Sequence, residues 1–153
     1  MNIIALLTFV FLTAPTPALV VFDETAEQPV LCHRLNQGEQ FSLAFTNSMY
    51  GGDVRETYVV TREGLIRRLS MHTEHPAAAD YYASTVDVVH DGDWYRVEVP
   101  PAEFAEIAVR IDRVGAPRIR VADQEIPLLT ATGNQHRVVL RGRVISRFSG
   151  NEC

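Results

Sequence analysis

Along most of the chain, apolar and polar side chains alternate with a period of two, the spacing of a strand that buries one face. Between residues 41 and 46, Phe41, Leu43 and Phe45 share one parity while Ser42, Ala44 and Thr46 share the other. Residues 55–61 repeat the pattern, with Tyr58 and Val60 set against Thr57, Val59 and Thr61. After the hairpin signal Arg62-Glu63-Gly64, residues 65–73 return with Leu65, Leu69 and Met71 on one face. Shorter strands are read at residues 19–22, 30–35, 107–112, 118–121 and 125–128. Another pair, residues 85–89 and 94–99, flanks the turn pair Asp91-Gly92. In the last strand Val138, Leu140, Val144 and Phe148 share one parity, and Arg137, Arg141, Arg143 and Arg147 the other. Gly142 falls on the apolar parity and marks a bulge or a close backbone approach. Residues 75–83 read as a short helix or as a loop over the sheet. Helical periodicity is otherwise confined to a brief stretch at residues 101–105. About ten short strands without βαβ alternation predict an all-β fold, an antiparallel β-sandwich or a partly closed barrel.

The first residues follow a different logic. Residues 1–18 carry no charged side chain, and an apolar run from Ile3 to Leu12 gives way to Ala14-Pro15-Thr16-Pro17-Ala18. That order is the one of a signal peptide cut after Ala18, which leaves residues 19–153 as a single domain. The alternative is a retained anchor over residues 3–22, close to spanning length and the one route to membrane contact. Either reading places the domain outside the cytoplasm, in the periplasm or an equivalent compartment. There Cys32 and the C-terminal Cys153 can pair; the competing reading is a buried thiol and a cysteine on a frayed end.

Composition narrows the chemistry. Nineteen acidic residues outweigh fourteen basic ones for a net charge of −5, which argues against a nucleic-acid partner. All the basic residues are arginine, so Schiff-base chemistry and a P-loop lysine are excluded. Two cysteines and five scattered histidines cannot build a cysteine-rich zinc framework. No nucleophile elbow occurs, and neither Ser48 nor Ser70 has an identifiable histidine partner. No cofactor is implied.

Several segments together resemble a known family. They are Gly38-Glu39-Gln40-Phe41-Ser42-Leu43-Ala44-Phe45-Thr46-Asn47-Ser48-Met49, Val54-Arg55-Glu56-Thr57-Tyr58, Val109-Arg110-Ile111-Asp112-Arg113-Val114-Gly115, Arg118-Ile119-Arg120-Val121 and Glu125-Ile126-Pro127-Leu128. The chain is similar in these to a small bacterial domain of unknown function whose genes lie beside TAXI-type TRAP transporters, importers that use a periplasmic binding protein. The resemblance implies an exported accessory protein, with the transporter subunits or the solute-binding protein as partners. It also sets a departure. Where such members carry His-Ser-Val after the third strand, this chain reads Asn47-Ser48-Met49, while Glu56 keeps the acidic position. Asparagine cannot titrate, so a role resting on that histidine does not carry over.

Three groups of residues are candidates for a site. Asn47, Ser48, Tyr50, Arg55 and Glu56 would form a polar ligand-binding loop at a sheet end, against the alternative of an ordinary glycine-rich turn. His72 and His75 would ligate a metal if the chain bends at Pro76, since positions i and i+3 of a strand face opposite ways. Arg118, Arg120, Arg137, Arg141 and Arg143 would form a docking face for an acidic partner, or else a solvated face paired with Asp and Glu. The leading expectation is a non-enzymatic accessory or binding protein of a TAXI-type TRAP system. An independent periplasmic small-ligand or metal-binding domain comes second, and a hydrolase last.

Overall fold

The computed structural model describes residues 15–83 and 87–145. In chain order the elements are β1 (Thr16–Asp23), β2 (Gln28–Arg34), β3 (Gln40–Thr46), β4 (Asp53–Val60), β5 (Ile66–Thr73), α1 (Pro76–Tyr82), β6 (Val88–Asp91) and β7 (Trp94–Val97). They continue with β8 (Ala102–Phe104), β9 (Glu106–Arg110), β10 (Arg118–Val121), β11 (Gln124–Pro127), α2 (Leu128–Ala131) and β12 (Arg137–Ile145). The strands form two open antiparallel sheets. The smaller has the order β2-β1-β12-β9, and the larger the order β11-β10-β3-β4-β5-β7-β6, with β8 also paired to β5. Neither sheet closes on itself, so of the two architectures expected from the sequence the sandwich is the one formed.

Alternation explains the main core. On β3 and β4 the inward side chains Phe41, Leu43, Tyr58 and Val60 are buried, as are Leu19 and Val21 of β1 and Val138 and Leu140 of β12 on the facing sheet. The rings of Phe41 and Tyr58 stack at 5.5 Å across the β3–β4 pair. Each such large side chain contributes roughly 1.5–3 kcal/mol by leaving water. At the end of β1, Asp23 is fully buried, yet its carboxylate accepts from the Thr25 and Ala26 amides and lies 2.7 Å from Nδ1 of His136.

A second apolar cluster covers the part of the large sheet that the small sheet does not reach. Val54, Met71 and Val97 pack there against Ala79 and Ala83. This resolves the choice left open at residues 75–83 in favour of a helix. Pro76 stands at its start, where a missing N–H costs nothing, and His75 caps it by accepting from the Ala77 amide through Nδ1 at 3.2 Å. The alanines have high helix propensity and bring the helix close to the sheet.

Other expectations need correction. Leu69 does not face inward with Met71; it is 43% exposed. The β4–β5 register slips between Thr57↔Ser70 and Tyr58↔Arg68, so Leu69 is the extra residue of a bulge, and Ile66 and Met71 both point inward across it. Residues 101–105 contain a strand, β8, paired with β5, rather than a helical turn. The one-turn helix α2 follows β11 directly and sets Leu128 into the core. Val144 faces the large sheet but sits at the open end of the sandwich and is 40% exposed. At Gly142 the pairing with β1 runs on without a slip, so there is no bulge. The close-approach reading holds instead, since a Cβ added there would stand 2.5 Å from the Gly64 carbonyl oxygen.

β1 starts at Thr16, ahead of the boundary expected at Ala18, and residues 16–22 of the proposed anchor are paired on the β12 side throughout. No helix among the described residues is long and apolar enough to cross a membrane. Residues 1–14 of the leader, Phe148 and Cys153 lie outside the described residues, and with them the proposed Cys32–Cys153 pairing.

Candidate functional site

The two sheets are unequal, and the mismatch creates the site. Four strands cannot cover eight; α1 shields part of the remainder, and between α1 and the edge strand β9 a cleft of about 380 Å³ stays open. Leu43 and Phe45 of β3 and Glu56 of β4 form its floor. One wall is the segment Ile107 to Arg110 of β9, which among the described residues pairs only with β12 and so turns its other backbone edge to the cleft. Tyr82 of α1 and the Asn47-Ser48 step form the other wall. The inner side chains of β9, Ile107 and Val109, are only half-buried because nothing covers them on this side.

Glu56 is the chemically distinctive residue. It lies on the parity of Val54, Tyr58 and Val60, so β4 carries it into the space between the sheets, where its side chain is 16% exposed. The Tyr58 hydroxyl donates to its Oε2 at 2.7 Å. Burial, reinforced by the Glu56 charge and hydrogen bond, pushes the Tyr58 phenol far above its ordinary pKa, with Arg68 opposing. The Arg68 guanidinium lies 3.8 Å from Oε1, beyond hydrogen-bond distance, so that oxygen keeps accepting capacity. A carboxylate so placed can receive a cationic or hydrogen-bond-donating group.

Tyr82 adds a second polar point. Burial raises its pKa first, and the negative charge of Glu56 adds to this against the hydrogen bond from Asn47. The phenol therefore stays protonated at neutral pH. It accepts from Asn47 Nδ2 at 3.4 Å, which leaves its own O–H to donate into the cleft. Asn47 itself acts mainly as a scaffold. It is 8% exposed, and its Oδ1 accepts from the Met49 and Tyr50 amides at 2.9 Å each, closing the turn that the sequence suggested.

The five residues proposed for a binding loop are thus divided. Asn47, Ser48 and Glu56 meet at the cleft. Tyr50 does not line it, and stacks on His75 at 5.9 Å. Arg55 follows the strand rule to the opposite, outer face of the sheet, with its guanidinium 4.7 Å over the Trp94 ring. Tyr82, Ile107 and Val109 were missed because they belong to other elements. One sequence signal was available: a glutamate on the apolar parity of an otherwise regular strand.

The proposed metal pair is not assembled into a site. His72 lies on the outer face, with Nε2 3.8 Å from Asp91, and Nδ1 of His75 is occupied by the helix cap. Among the described residues no group of three or more His, Cys, Asp or Glu side chains could hold a metal ion. The five arginines do not share one face either. Arg118 and Arg120 stand on the outer side of the large sheet and pair with Asp53 and Glu125. Arg137 and Arg141 stand on the outer side of the small sheet and pair with Glu24, Arg141 also with Glu106, while Arg143 is exposed on the same strand. They separate because β10 and β12 belong to different sheets, and most are neutralised by acidic neighbours.

Fold and cleft define a two-sheet β-sandwich with an amphipathic pocket at the step between its sheets. The chain belongs to the family described as domain of unknown function (DUF1850), whose model matches residues 41–128, more than half of the sequence. Every residue lining the cleft falls inside that match, whereas β1, β2 and β12 lie outside it. No curated protein and no solved structure matches the chain.

Proposed function

We propose that this protein is a non-enzymatic binding protein of the extracytoplasmic space, which holds a small amphipathic solute in the inter-sheet cleft as an accessory to a TAXI-type TRAP transporter. The observation that carries the binding reading is the inward Glu56 carboxylate, held by Tyr58 in a cleft otherwise floored by Leu43 and Phe45. Such a site suits an occupant with an apolar body and a cationic or donor head group, the body against β3 and β9 and the head at Glu56 and Tyr82. The transporter setting rests on the sequence resemblance alone.

The binding part is tested by calorimetry and amide chemical-shift titration with three probes of one shape, n-butylamine, n-butanol and butyrate. The amine should bind best and butyrate worst, with shifts confined to Ile107, Val109, Tyr82 and the β3–β4 floor. Glu56→Gln should weaken the amine about tenfold, the scale of a hydrogen bond to a charged group. Butyrate binding as well as butylamine, or shifts elsewhere, would count against the reading. The transporter part is tested by co-purification from native membranes; uptake unchanged on deletion, with no transporter subunit recovered, would sink it.

A further inference from the structure

We infer that the occupant of the cleft is a short oligopeptide in extended form, which adds to the free edge of β9 as an antiparallel strand and sets a lysine or arginine side chain on Glu56; this rests on the binding reading above and names its ligand class. The hydrogen bonding of β9 shows which of its groups are open. The Ile111 amide donates to the His136 carbonyl at 2.9 Å, and the register runs on from Arg110↔Arg137 to Glu106↔Arg141. Bonded positions alternate along an antiparallel ladder. Val109 and Ile107 therefore turn their N–H and C=O to β12, and Ala108 and Arg110 turn theirs to the cleft. Among the described residues these outward groups have no partner. A row of open backbone donors and acceptors is a template for one more strand. An alkylamine can reach Glu56 but leaves this edge unpaired, whereas a peptide satisfies both.

Strand addition also fixes the direction of each added side chain. Residues opposite Ile107 and Val109 point inward with them, toward Leu43, Phe45 and Glu56, and the residue between, opposite Ala108, points to solvent. A basic and an apolar residue at positions i and i+2 thus share the inward face. Charge complementarity selects the basic one: the Glu56 side chain is 16% exposed, and the Arg68 guanidinium at 3.8 Å leaves its Oε1 able to accept. The groove is also short. At one end the chain steps from β8, paired to β5 in the large sheet, to β9 in the small one. At the other end the Thr46 amide at the close of β3 donates to the Gly115 carbonyl at 2.8 Å, which ties the turn after Ile111 to the large sheet. Between these ends β9 offers five residues, about 17 Å of strand. That length suits a free peptide of a few residues rather than a passing segment of a protein.

The probe is the capped tripeptide acetyl-Lys-Ala-Val-amide, titrated into the full chain by calorimetry beside n-butylamine. Three relatives accompany it: one with norleucine for lysine, one N-methylated at alanine, and one extended by three alanines at each end. The lysine peptide should bind at least tenfold tighter than butylamine, and about tenfold tighter than the norleucine peptide, a preference that Glu56→Gln should erase. N-methylation should weaken it about tenfold or more, and so should Ala108→Pro, which removes an amide from the open edge. The N-methyl peptide asks the same question of the parent protein if Ala108→Pro does not fold. Amide exchange at Ala108 and Arg110 should slow with the peptide and not with butylamine. Butylamine bound in the cleft, with the tripeptide no tighter or N-methylation without effect, would overturn the peptide assignment and leave the binding reading standing. Failure of both ligands would overturn the two together. The extended peptide should gain no more than about threefold; a gain of a hundredfold would give the edge to a segment of a partner protein and overturn the free oligopeptide.

Discussion

Two residues bear loads that their neighbours cannot share. At Gly142 the obstruction to a side chain is backbone: the Gly64 carbonyl oxygen at 2.5 Å from an added Cβ, and Val60 Cγ1 at 2.9 Å. A carbonyl in a hairpin cannot rotate aside as a flexible side chain would. Gly142→Ala should therefore force β12 and the β4–β5 hairpin apart and cost about 1–3 kcal/mol, as overpacking does. A lowered urea midpoint with an unchanged slope is the expected signature. Asp23 bears an electrostatic load. Burial on its own would raise its pKa, but the hydrogen bonds from His136 and from the Ala26 and Thr25 amides outweigh it, and the carboxyl is held below its ordinary value. A depressed carboxyl pKa contributes stability above the unfolded value near 3.8 and loses it as pH falls through the folded one. Asp23→Asn should lower the urea midpoint at pH 7 and flatten its decline below about pH 4. An acid limb equally steep in the variant would show that other carboxylates govern it.

At the level of elements, the cleft depends on α1 as much as on the strands. Ala79 is fully buried against Val54, Met71 and Val97, and the same helix delivers Tyr82 to the cleft wall. Ala79→Asp would set an unpaired charge on that face at a cost of roughly 2 kcal/mol or more. Amide exchange at Ala79 and Ala83 should accelerate strongly while the β3–β4 amides stay protected, and butylamine binding should fall with it. Uniform acceleration would instead show that helix and sheet open as one unit. This dependence also marks where the sequence could be read and where it could not. β3, β4 and β10 were legible because a half-buried strand imposes period two on its own residues. Leu69 was misread because a bulge changes parity through the partner strand, and β8 because three residues carry too little pattern. Asn47, Ser48 and Glu56 were found together because they lie near one another in the chain. Tyr82 and the β9 wall were not, since sheet order, not local pattern, brings them there. Arg55 was grouped with Glu56 in one loop site, although the alternation that places Glu56 inward already places Arg55 outward.

At the scale of the whole molecule, the step between sheets exists only while the small sheet holds its place, and β1 lies at that sheet's centre. It pairs with β12 from Thr16↔Ile145 to Asp23↔Val138 and with β2 from Ala18↔Arg34 onward. The carbonyl of Pro17 accepts from the Leu35 amide at 2.8 Å, and Ala18 is fully buried. A cut after Ala18 would remove three residues from this ladder and uncover the end of β12 around Val144 and Ile145. Each lost backbone bond is worth about 0.5–1.5 kcal/mol net, so the total is about 2 kcal/mol or more. A chain beginning at Leu19 should thus unfold at a clearly lower urea concentration than one beginning at Pro15. Because Ile107 and Val109 ride on β9, which is paired to β12, the shorter chain should also bind butylamine less tightly. Equal midpoints and equal binding would mean that the first three residues of β1 add nothing to the sheet. The intact mass of the protein recovered from its native compartment bears on the same point: a sheet that requires Thr16, Pro17 and Ala18 is compatible with an N-terminus at or before Pro15, and one that does not permits Leu19.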